Sequence, residues 1–365
     1  MWRSFIDEEK YLQLPGNDNL PLPIRQEINK SGSVKKRVIY SYPEPYNSIL
    51  KGIAYLLYRY DDVFGDNCYA FRRNRSAGDA LGRLLRDNAE GKLWCLKLDI
   101  SDYFNSIDIE MLLDKLEFMR RDDERLFELF AAMLRRKQVL LGDGSEICDE
   151  HGAMAGIAVA PFFANIYLKD ADKLFENEKY YRYSDDILIL AESREALEEK
   201  KERLLKLFAD LRLKLNEKKL HTYAPGEAVE FLGFAICAGN VDLSEATKKK
   251  LKDKVSRKAR ALQRWSRKKK LPGERAAKGF IRALNRKLYS KDEKAFSWSR
   301  WFFPHLTADE SLKELDAYIL QYIRYTVTGR HYKGNYRISY EKIKEWGYRS
   351  LVHEWWEQKQ NRMDR

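Results

Sequence analysis

The sequence is poor in the residues that build disulfide frameworks and zinc sites. Its 365 residues include four cysteines and five histidines. The cysteines lie far apart without a Cys-x-x-Cys pair, and the histidines show neither His-Asn-His nor zinc-finger spacing. This pattern excludes a disulfide-stapled domain and favours reduced core thiols. The cysteines are Cys68, Cys95, Cys148 and Cys237.

Long apolar runs are missing as well. No stretch reaches the roughly 18 apolar residues that a membrane-spanning helix needs. Residues 1–15 contain early acidic residues and no apolar centre, so we expect no signal peptide. There is no internal repeat and no low-complexity linker. We therefore expect a cytoplasmic protein of roughly two or three domains, with a sizeable core and no membrane partner.

Positive charge is concentrated in one segment. The chain has a net charge of +12, with 68 Lys and Arg against 56 Asp and Glu. Residues 248–287 hold 18 of these cations and two acids, so the rest of the chain has a net charge of −4. Apolar residues recur in this segment at helical spacing, which predicts a helix with cationic flanks. A solvated helix also fits this pattern, but a polyanion would relieve the repulsion, so we favour a phosphate-binding surface.

A second unusual feature is a pair of adjacent carboxylates in the segment YRYSDDILIL, residues 181–190. Its β-branched and aromatic residues predict two strands, joined by a turn at Ser184, Asp185 and Asp186. Two carboxylates a few ångströms apart repel each other unless a proton or a cation lies between them. A plain polar hairpin turn would also accept Asp-Asp, so residues elsewhere in the chain decide its meaning.

A third carboxylate ends another apolar strand, KLWCLKLDI at residues 92–100. Asp99 and Asp185 can therefore project from one edge of one sheet. Three carboxylates from two strand ends would bind a pair of Mg²⁺ ions, for which Mn²⁺ is a substitute. Two such ions about 3.5–4 Å apart activate an attacking oxygen and stabilise a leaving one in phosphoryl transfer.

Helical periodicity predicts most of the other elements. Ser76 is expected to cap a helix within the first helical region. The segment LGDGSE, which follows the second region, predicts a turn. A short strand is expected at 229–236, and from about residue 242 the chain is basic, aromatic and mainly helical. The predicted helical regions are 51–90, 110–137, 160–178 and 193–212.

The order of the carboxylates resembles the palm of reverse transcriptases, in which the second element is a Tyr-x-Asp-Asp box, here Tyr183-Ser184-Asp185-Asp186. The resemblance extends over residues 20–240 and is strongest with bacterial enzymes of the retron, group II intron and unclassified defence-linked types. It implies an α+β right-hand polymerase with fingers, an antiparallel-sheet palm backed by helices, and an α-helical thumb. The implied subdomains are fingers at 1–90 and 145–180, palm at 91–144 and 181–240, and a basic thumb and C-terminal region at 241–365.

By the same resemblance, the carboxylates carry the chemistry. Asp99 and Asp185 are implied metal ligands, with assistance from the carbonyl of Ile100. Asp186 is implied to support the metal site as a further ligand. The segment LKLNEKKL matches the one that offers a lysine near the leaving pyrophosphate, and the alignment selects Lys219.

Other matching segments imply contacts with the incoming nucleotide. INKSGSVKKRVIY, residues 28–40, resembles the fingers segment that grips the triphosphate. Phe104 stands where the family places a ring that excludes a ribose 2′-OH, so we expect a preference for deoxynucleotides. The small residues of GAMAGIAVAPFFANIYL let the backbone approach the template base pair closely. The implied nucleotide-binding residues are Lys30, Arg37, Phe104, Ala155 and Gly156.

Further stretches imply contacts with template or primer. CYAFRRNRSAGDAL, residues 68–81, resembles a Gly-Phe-Arg-x-x-Arg-Ser segment that meets template or incoming phosphates. VEFLGFAI, residues 229–236, is similar to the primer-grip hairpin. Trp265 and Trp298 of the basic thumb either stack on bases or pack in the thumb core. The implied template and primer residues are Arg72, Arg75, Pro161, Phe231, Leu232, Gly233, Lys268, Lys269 and Lys270.

The sequence departs from the family pattern in two motifs. The usual Pro-Gln-Gly is Met154-Ala155-Gly156 here, and the Ser that usually precedes the proline is Ala160. The missing Gln removes a side chain that steadies the nascent base pair. Reduced fidelity, a specialised short template, template-poor synthesis and a decayed non-enzyme are all compatible with these changes.

We expect RNA-directed DNA synthesis from deoxynucleotides. The expected template is a structured noncoding RNA dedicated to the enzyme, in anti-phage defence, with an accessory protein as a further partner. An RNA-templated RNA polymerase is an alternative that Phe104 disfavours, and the complete Asp set disfavours a non-catalytic RNA-binding relic. Retron, diversity-generating and mobile-element enzymes remain open, although no nuclease domain is recognisable after the thumb, which disfavours a mobile element.

Overall fold

The chain divides into two compact units, with the boundary between Glu227 and Ala228. The computed structural model describes residues 20–29, 36–292 and 296–363. In this part of the chain, no helix has both the length and the apolar character needed to cross a membrane.

The described strands of the first unit form two four-stranded sheets. The strands are β1 (Ile24–Asn29), β2 (Lys36–Ser41), β3 (Trp94–Asp99), β4 (Gln138–Leu140), β5 (Glu146–Cys148), β6 (Tyr180–Tyr183), β7 (Asp186–Ala191) and β8 (His221–Tyr223). One sheet has the order β2-β1-β4-β5 and is antiparallel except between β1 and β4. The other has the order β6-β7-β3-β8 and is antiparallel throughout.

Helices pack against the second of these sheets. The helices of the first unit are α1 (Tyr46–Leu56), α2 (Ala77–Asp87), α3 (Tyr103–Ser106), α4 (Ile109–Asp122), α5 (Glu124–Arg135), α6 (Ala160–Tyr167), α7 (Lys169–Leu174) and α8 (Arg194–Asp210). Short 3₁₀ turns cover Leu57–Val63 and Glu217–Lys219. Helix α8 packs against β7 and β3, and α2 packs against β6.

Capping residues decide where several helices begin. Ser76 caps α2 as predicted, because its hydroxyl accepts a hydrogen bond from the Asp79 amide at 3.2 Å. Asp123 divides the region 110–137, predicted as one helical stretch, into α4 and α5. Its φ of −153° is not helical, and its carboxylate accepts from the Leu126 amide at 2.9 Å, which caps α5.

The strand next to the acidic turn is fully buried over most of its length. Strand β7 lies between β6 and β3, and Ile187 to Leu190 are fully buried. A strand that is covered on both faces needs apolar side chains at consecutive positions, which explains the unbroken apolar run. Burial of each such side chain contributes roughly 1.5–3 kcal/mol. Asp186, at the start of β7, is therefore attached to a rigid strand.

The second unit is mainly helical. Its elements are β9 (Val229–Phe231), β10 (Phe234–Cys237), β11 (Asn240–Leu243), α9 (Glu245–Lys268), α10 (Gly273–Leu288), α11 (Trp298–Phe302), α12 (Glu310–Thr328), α13 (Tyr340–Glu345) and α14 (Leu351–Met363), with 3₁₀ turns at Phe303–His305 and Lys333–Arg337. The three strands pair antiparallel in the order β11-β10-β9. Helices α9, α10 and α12 pack on one another. The predicted palm boundary at residue 240 falls inside the three-stranded sheet, at the start of β11. The predicted subdomain boundaries stay predictions.

The basic segment 248–287 forms two helices instead of the single helix predicted. Helix α9 ends at Lys268, and Pro272 immediately precedes α10, where its missing N–H is tolerated. The backbone of Gly273 lies against the backbone of Val327 in α12, too close for any side chain at this position. Helix α10 therefore begins directly on the backbone of α12.

A buried carboxylate attaches the C-terminal helix to α12. Asp316 accepts hydrogen bonds from the Tyr348 hydroxyl at 2.5 Å and from the Leu351 amide at 2.8 Å. It thus lies at the N-terminus of α14, where backbone N–H groups lack helical partners. The indole of Trp355 is buried and donates to the Phe303 carbonyl at 3.2 Å. The C-terminal aromatic segment, for which the sequence provides no assignment, packs the unit together.

The tryptophans and cysteines that the sequence alone does not distinguish differ in their solvent exposure. Trp298 packs in the core of the second unit, whereas Trp265 is 45% exposed. Cys68 and Cys95 are buried, as predicted for core thiols. The prediction is wrong for Cys148, which is exposed because it lies on β5, at the edge of its sheet.

Candidate active site

The predicted YRYSDDILIL hairpin is present, and it carries the acidic turn. Tyr183 pairs with Asp186, so Ser184 and Asp185 form a two-residue turn between β6 and β7. Ser184 has a φ of 63°, in the left-handed region that tight hairpin turns use. The register of β7 with β3 sets Asp186 directly opposite Asp99. The fold thus brings the two strand ends together.

Asp99 is nearly buried and is neutralised by a lysine. The Lys219 ammonium lies 2.5 Å from one carboxylate oxygen, and the Asn216 side-chain amide donates to the other at 3.1 Å. The Asn216 backbone amide also donates to the Asp99 carbonyl, at 2.8 Å. The Lys219 side chain remains 48% exposed, so its ammonium is free to leave the carboxylate.

Asp185 and Asp186 concentrate unfavourable negative charge. One carboxylate oxygen of Asp186 is buried without a hydrogen-bond partner among the described residues, and the Lys97 ammonium lies 4.0 Å from it. Burial raises the pKa of Asp186 to about 6, against the attraction of Lys97. Burial, followed by the charge of Asp99, also raises the pKa of Asp185. A cation at this position would therefore be stabilising.

The donor set suits a hard divalent cation. Carboxylate and carbonyl oxygens are the ligands that Mg²⁺ and Mn²⁺ prefer, and Asp186 has a buried oxygen available. Within the described ranges, no three His, Cys, Asp or Glu side chains already have ligand spacing, and the Lys219 ammonium supplies the positive charge at Asp99 instead. Ile100 is buried and forms a β-bridge with Leu215. The assignment of the metal ligands stays a prediction.

A fully buried ion pair lies behind the turn. Arg182 on β6 and Asp172 on α7 have no solvent exposure. The guanidinium donates to both oxygens of Asp172, at 2.7 and 2.5 Å. It also donates to the Ser184 carbonyl at 3.3 Å and to the side-chain oxygen of Asn165 at 3.1 Å. One arginine side chain thus connects the acidic turn to both α6 and α7.

Four polar residues around the site were not identified from the sequence. They are Lys97, Asp172, Arg182 and Asn216. Each stands in or beside a largely apolar segment. A charged side chain in such a segment is the sequence feature that could have identified a site residue, because a buried charge requires a partner. The spacing along the chain does not reveal which partner each one meets.

Phe104 lies on the short helix that follows Asp99. Its ring contacts those of Tyr103 and Phe71, with centroid distances of 5.7 and 6.4 Å. Its carbonyl accepts a hydrogen bond from the Ala153 amide at 2.7 Å. Aromatic neighbours and a backbone hydrogen bond therefore fix this residue, which follows Asp99 by five positions in the sequence.

The predicted nucleotide-binding loop lies against β2. The Tyr40 amide donates to the Ala155 carbonyl at 2.7 Å. Gly156 has a φ of 113°, and a Cβ there would lie 2.8 Å from the Tyr40 carbonyl oxygen, so glycine is required. Arg37 is exposed on β2, and Lys30 lies outside the described residues.

Arg72 is not presented to a ligand. Its side chain is 6% exposed and pairs with Asp61 through two N–H···O bonds of 3.1 and 3.0 Å. It also donates to the carbonyls of Gly65 and Cys68, at 2.7 and 3.2 Å. The structure thus gives Arg72 a supporting role in its loop, and the predicted phosphate contact stays a prediction.

Arg75 and Pro161 are placed differently from Arg72. Arg75 is partly exposed and pairs with the exposed Asp66, a weak surface interaction that a phosphate can replace. Pro161 stands in the first turn of α6, where a missing N–H has no consequence for the helix. Both positions remain compatible with the predicted template contacts, which stay predictions.

The predicted primer and thumb residues all belong to the second unit. Phe231 ends β9 with a fully buried ring, so its side chain is not displayed. Leu232 and Gly233, with φ of 51° and 90°, form the turn before β10, and the Gly233 carbonyl accepts from the Thr247 hydroxyl at 2.8 Å. Residues 268–270 are exposed lysines at the end of α9.

A comparison with known families agrees with this arrangement. Residues 28–236, more than half of the chain, match the family described as reverse transcriptase (RNA-dependent DNA polymerase). The chain belongs to the reverse transcriptase family. The α+β right-hand polymerase fold predicted from the sequence is confirmed, and the family match supports the predicted enzyme class, RNA-directed DNA polymerase.

Solved structures resemble this reverse transcriptase in architecture. Apo telomerase from Candida tropicalis matches with a TM-score of 0.52 and 11% identity, over 94% of this chain and 72% of that chain. Telomerase from Candida albicans in complex with a TWJ fragment of telomeric RNA matches with a TM-score of 0.48 and 14% identity, over 94% of this chain. The reverse transcriptase spans 65% of that telomerase chain. No curated protein matches it in sequence.

Substitution of Asp172 by Asn is expected to destabilise the first unit strongly. The change leaves the Arg182 guanidinium buried without a counter-charge, which costs about 3–5 kcal/mol. Asp170→Asn is the matched control, because it breaks a surface pair with Lys115 worth at most about 1 kcal/mol. Denaturant unfolding of both variants makes the comparison, and equal destabilisation would contradict the role of the buried pair.

Substitution of Asp186 by Asn is expected to stabilise the metal-free protein at pH 8. The pKa of Asp186 is raised from 3.8 to about 6 in the folded state, which therefore keeps a proton that the unfolded state releases. Stability from this proton is present below pH 4 and is lost as the pH rises through 6. An uncharged Asn avoids the loss, which amounts to about 3 kcal/mol at pH 8 for a shift of this size.

Unfolding at pH 5 and pH 8 in chelator tests this expectation. The increase in the free energy of unfolding caused by Asp186→Asn should be smaller at pH 5 than at pH 8. Added Mg²⁺ should stabilise the wild type more than this variant. Glu192→Gln removes an exposed carboxylate beyond the other end of β7 and serves as the control. A gain that does not depend on pH would argue against charge repulsion at the turn.

Proposed function

We propose that this reverse transcriptase copies RNA into DNA with Asp99, Asp185 and Asp186 as its catalytic carboxylates. The observation that carries the proposal is the register of β3 and β7, which sets Asp186 opposite Asp99 at the ends of two buried strands. The two-residue turn keeps Asp185 within the same small region. Three carboxylates held this closely are suited to phosphoryl transfer and are hard to explain as packing.

Two Mg²⁺ ions are the proposed cofactors, with Mn²⁺ as a substitute. Asp99, Asp185 and the carbonyl of Ile100 would hold them, and Asp186 would support the site. When bound, such ions activate the attacking oxygen and stabilise the leaving one. The raised pKa values of Asp185 and Asp186 support the proposal, because burial, followed by neighbouring carboxylates, disfavours their charged forms, which a cation would stabilise.

Lys219 is proposed to exchange partners during the reaction. Its ammonium neutralises Asp99 in this structure, and its side chain is half exposed. Once other positive charge reaches Asp99, the ammonium is free to turn toward the leaving pyrophosphate. The exchange would leave neither Asp99 nor the pyrophosphate without a positive partner.

The proposed substrates are deoxynucleoside triphosphates. Lys30 and Arg37 would hold the triphosphate, while Ala155 and Gly156 would form the backbone surface beneath the base pair. Phe104 would exclude the ribose 2′-OH. Its support comes from its place on the short helix after Asp99, where aromatic contacts hold its ring and a hydrogen bond holds its backbone.

The template is proposed to be a structured noncoding RNA, copied in the cytoplasm in anti-phage defence with an accessory protein. The sequence departures at Met154 and Ala155 are compatible with a specialised template, as they are with reduced fidelity or template-poor synthesis. Template contacts are proposed for Arg75 and Pro161, and primer contacts for the backbone turn at Leu232 and Gly233. A retron, diversity-generating or mobile-element role is the alternative.

Nucleic acid backbone is proposed to bind a groove between α9 and α10. The groove has a volume of about 870 Å³, and its floor includes the apolar side chains of Leu251, Val255 and Leu284. Burial, together with the surrounding cations, lowers the pKa of Lys254. A bound phosphate would reduce the repulsion among the positive charges along the groove. The cations along the groove are Lys254, Arg257, Lys258, Arg286 and Lys287.

A primer-extension assay with ribo- and deoxynucleotides supplied separately tests the polymerase and its sugar gate. Wild type should extend with deoxynucleotides and discriminate against ribonucleotides, and Phe104→Val should reduce the discrimination by roughly one to two orders of magnitude because the clash with the 2′-OH is removed. Asp99→Asn and Asp185→Asn should abolish extension with either pool while leaving RNA binding intact. Full activity in either Asp variant would contradict the proposed carboxylates.

Substitution of Lys254, Lys258 and Lys287 by Gln should weaken nucleic acid binding and flatten its salt dependence. Removal of each phosphate interaction lowers the log–log slope by about 0.7–0.9. The triple substitution of residues 268–270 by Gln removes equal charge and tests the run named from the sequence. The variant with the larger decrease in the slope of log affinity against log salt identifies the surface that holds more phosphate. A slope equal to that of the wild type in both variants would show that neither surface holds phosphate.

A further inference from the structure

The second unit carries a tyrosine-rich surface that the polymerase reaction does not use. Residues 317–340 contain six tyrosines, four arginines or lysines, and no acidic residue. Tyr332 and Tyr336 are 56% and 67% exposed, far more than the buried aromatics of the core. Two largely exposed rings on a segment with cations and no acidic residue form a surface that a ligand can cover.

These rings line a cleft of about 160 Å³ at the end of α12. The Arg324 guanidinium lies over the Tyr336 ring, 5.1 Å from its centroid. His331 forms another part of the lining, and the ring of Tyr325 stacks behind it at 4.7 Å with an interplanar angle of 17°. Lys333 adds a further positive charge. The cleft is thus small, flat-walled and cationic.

The cleft is held in shape before any ligand arrives. Asn335 is buried and its side-chain amide donates to the Arg330 carbonyl at 2.7 Å. Arg324 donates to the Ile338 carbonyl at 3.0 Å, which fixes the segment to α12. The Tyr332 ring lies on the backbone of Gly334, too close for any side chain there. Pre-ordered rings lose little conformational entropy on binding.

We propose that this cleft binds an unpaired nucleotide of a single-stranded nucleic acid. A base presents a flat π-face that stacks on Tyr332 or Tyr336, and its phosphates would meet Arg324 and Lys333. A duplex keeps its bases stacked inside and cannot use so small a cleft. An acidic protein segment would match the charge but has no use for the exposed tyrosine faces.

The inference rests on the proposed function only in that the chain handles nucleic acid. The cleft lies in the second unit, and none of its residues is among the proposed catalytic or nucleotide-binding residues. Binding and primer extension can therefore be measured separately. A failure of one does not imply a failure of the other.

Fluorescence anisotropy of the full chain with labelled oligonucleotides of about 12 nucleotides tests the proposal. Tyr332→Ala/Tyr336→Ala should bind single-stranded RNA, single-stranded DNA or both about tenfold more weakly for each stacking interaction removed, with duplex binding unchanged. The larger loss identifies RNA or DNA as the ligand. Gly334→Ala should weaken binding too, because it displaces the Tyr332 ring while keeping both tyrosines.

Two controls separate stacking from other effects. Tyr332→Phe/Tyr336→Phe keeps the ring faces and should retain wild-type affinity, and Tyr340→Ala removes a tyrosine that does not line the cleft. Extension of a primer on saturating template should be unchanged in all variants. Unchanged affinity of the double Ala variant for both single strands, or equal losses in the Phe and Ala variants, would overturn the proposal.

Discussion

The acidic turn depends on the buried ion pair between Arg182 and Asp172. Burying two charges is unfavourable because both lose their hydration. The attraction between them offsets this cost only when their geometry and hydrogen bonding are complete. Here the guanidinium uses its donors on Asp172, Asn165, the Ser184 carbonyl and the Cys68 sulfur. Any other packing of the turn would leave a charge unpaired in the core. The pair therefore acts less as a source of stability than as a restriction to one arrangement.

This restriction explains how the chain tolerates a site that is unfavourable by itself. Burial of the Asp185 and Asp186 carboxylates, together with the negative charge of Asp99, raises their pKa values, so their ionised forms are unfavourable here. The fully apolar strand β7 and the ion pair hold the turn where unrestrained carboxylates would move apart. The packing of strands and helices thus offsets the destabilisation caused by the functional carboxylates. Many enzymes have active sites that reduce stability in this way.

Local signals in the sequence were sufficient for the strand-turn-strand around Asp185 and for the cap at Ser76, because both depend on neighbours along the chain. Breaks in helices were harder, since Asp123 and Pro272 interrupt periodic patterns that continue on both sides. Partners distant in sequence were out of reach. The contact of Arg72 with Asp61 and that of Arg182 with Asp172 arise only when the chain has folded, so a phosphate role for Arg72 looked reasonable from its motif alone.

The glycine at the start of α10 has a mechanical consequence. Where Gly273 meets Val327, backbone touches backbone, and no side chain lies between α10 and α12 to yield under load. The basic groove lies along α10, and the tyrosine cleft lies at the end of α12 beyond Val327. A methyl group added at Gly273 would collide with the Val327 carbonyl. Any residue other than glycine would therefore push the start of α10 away from α12, the helix whose end carries the tyrosine cleft.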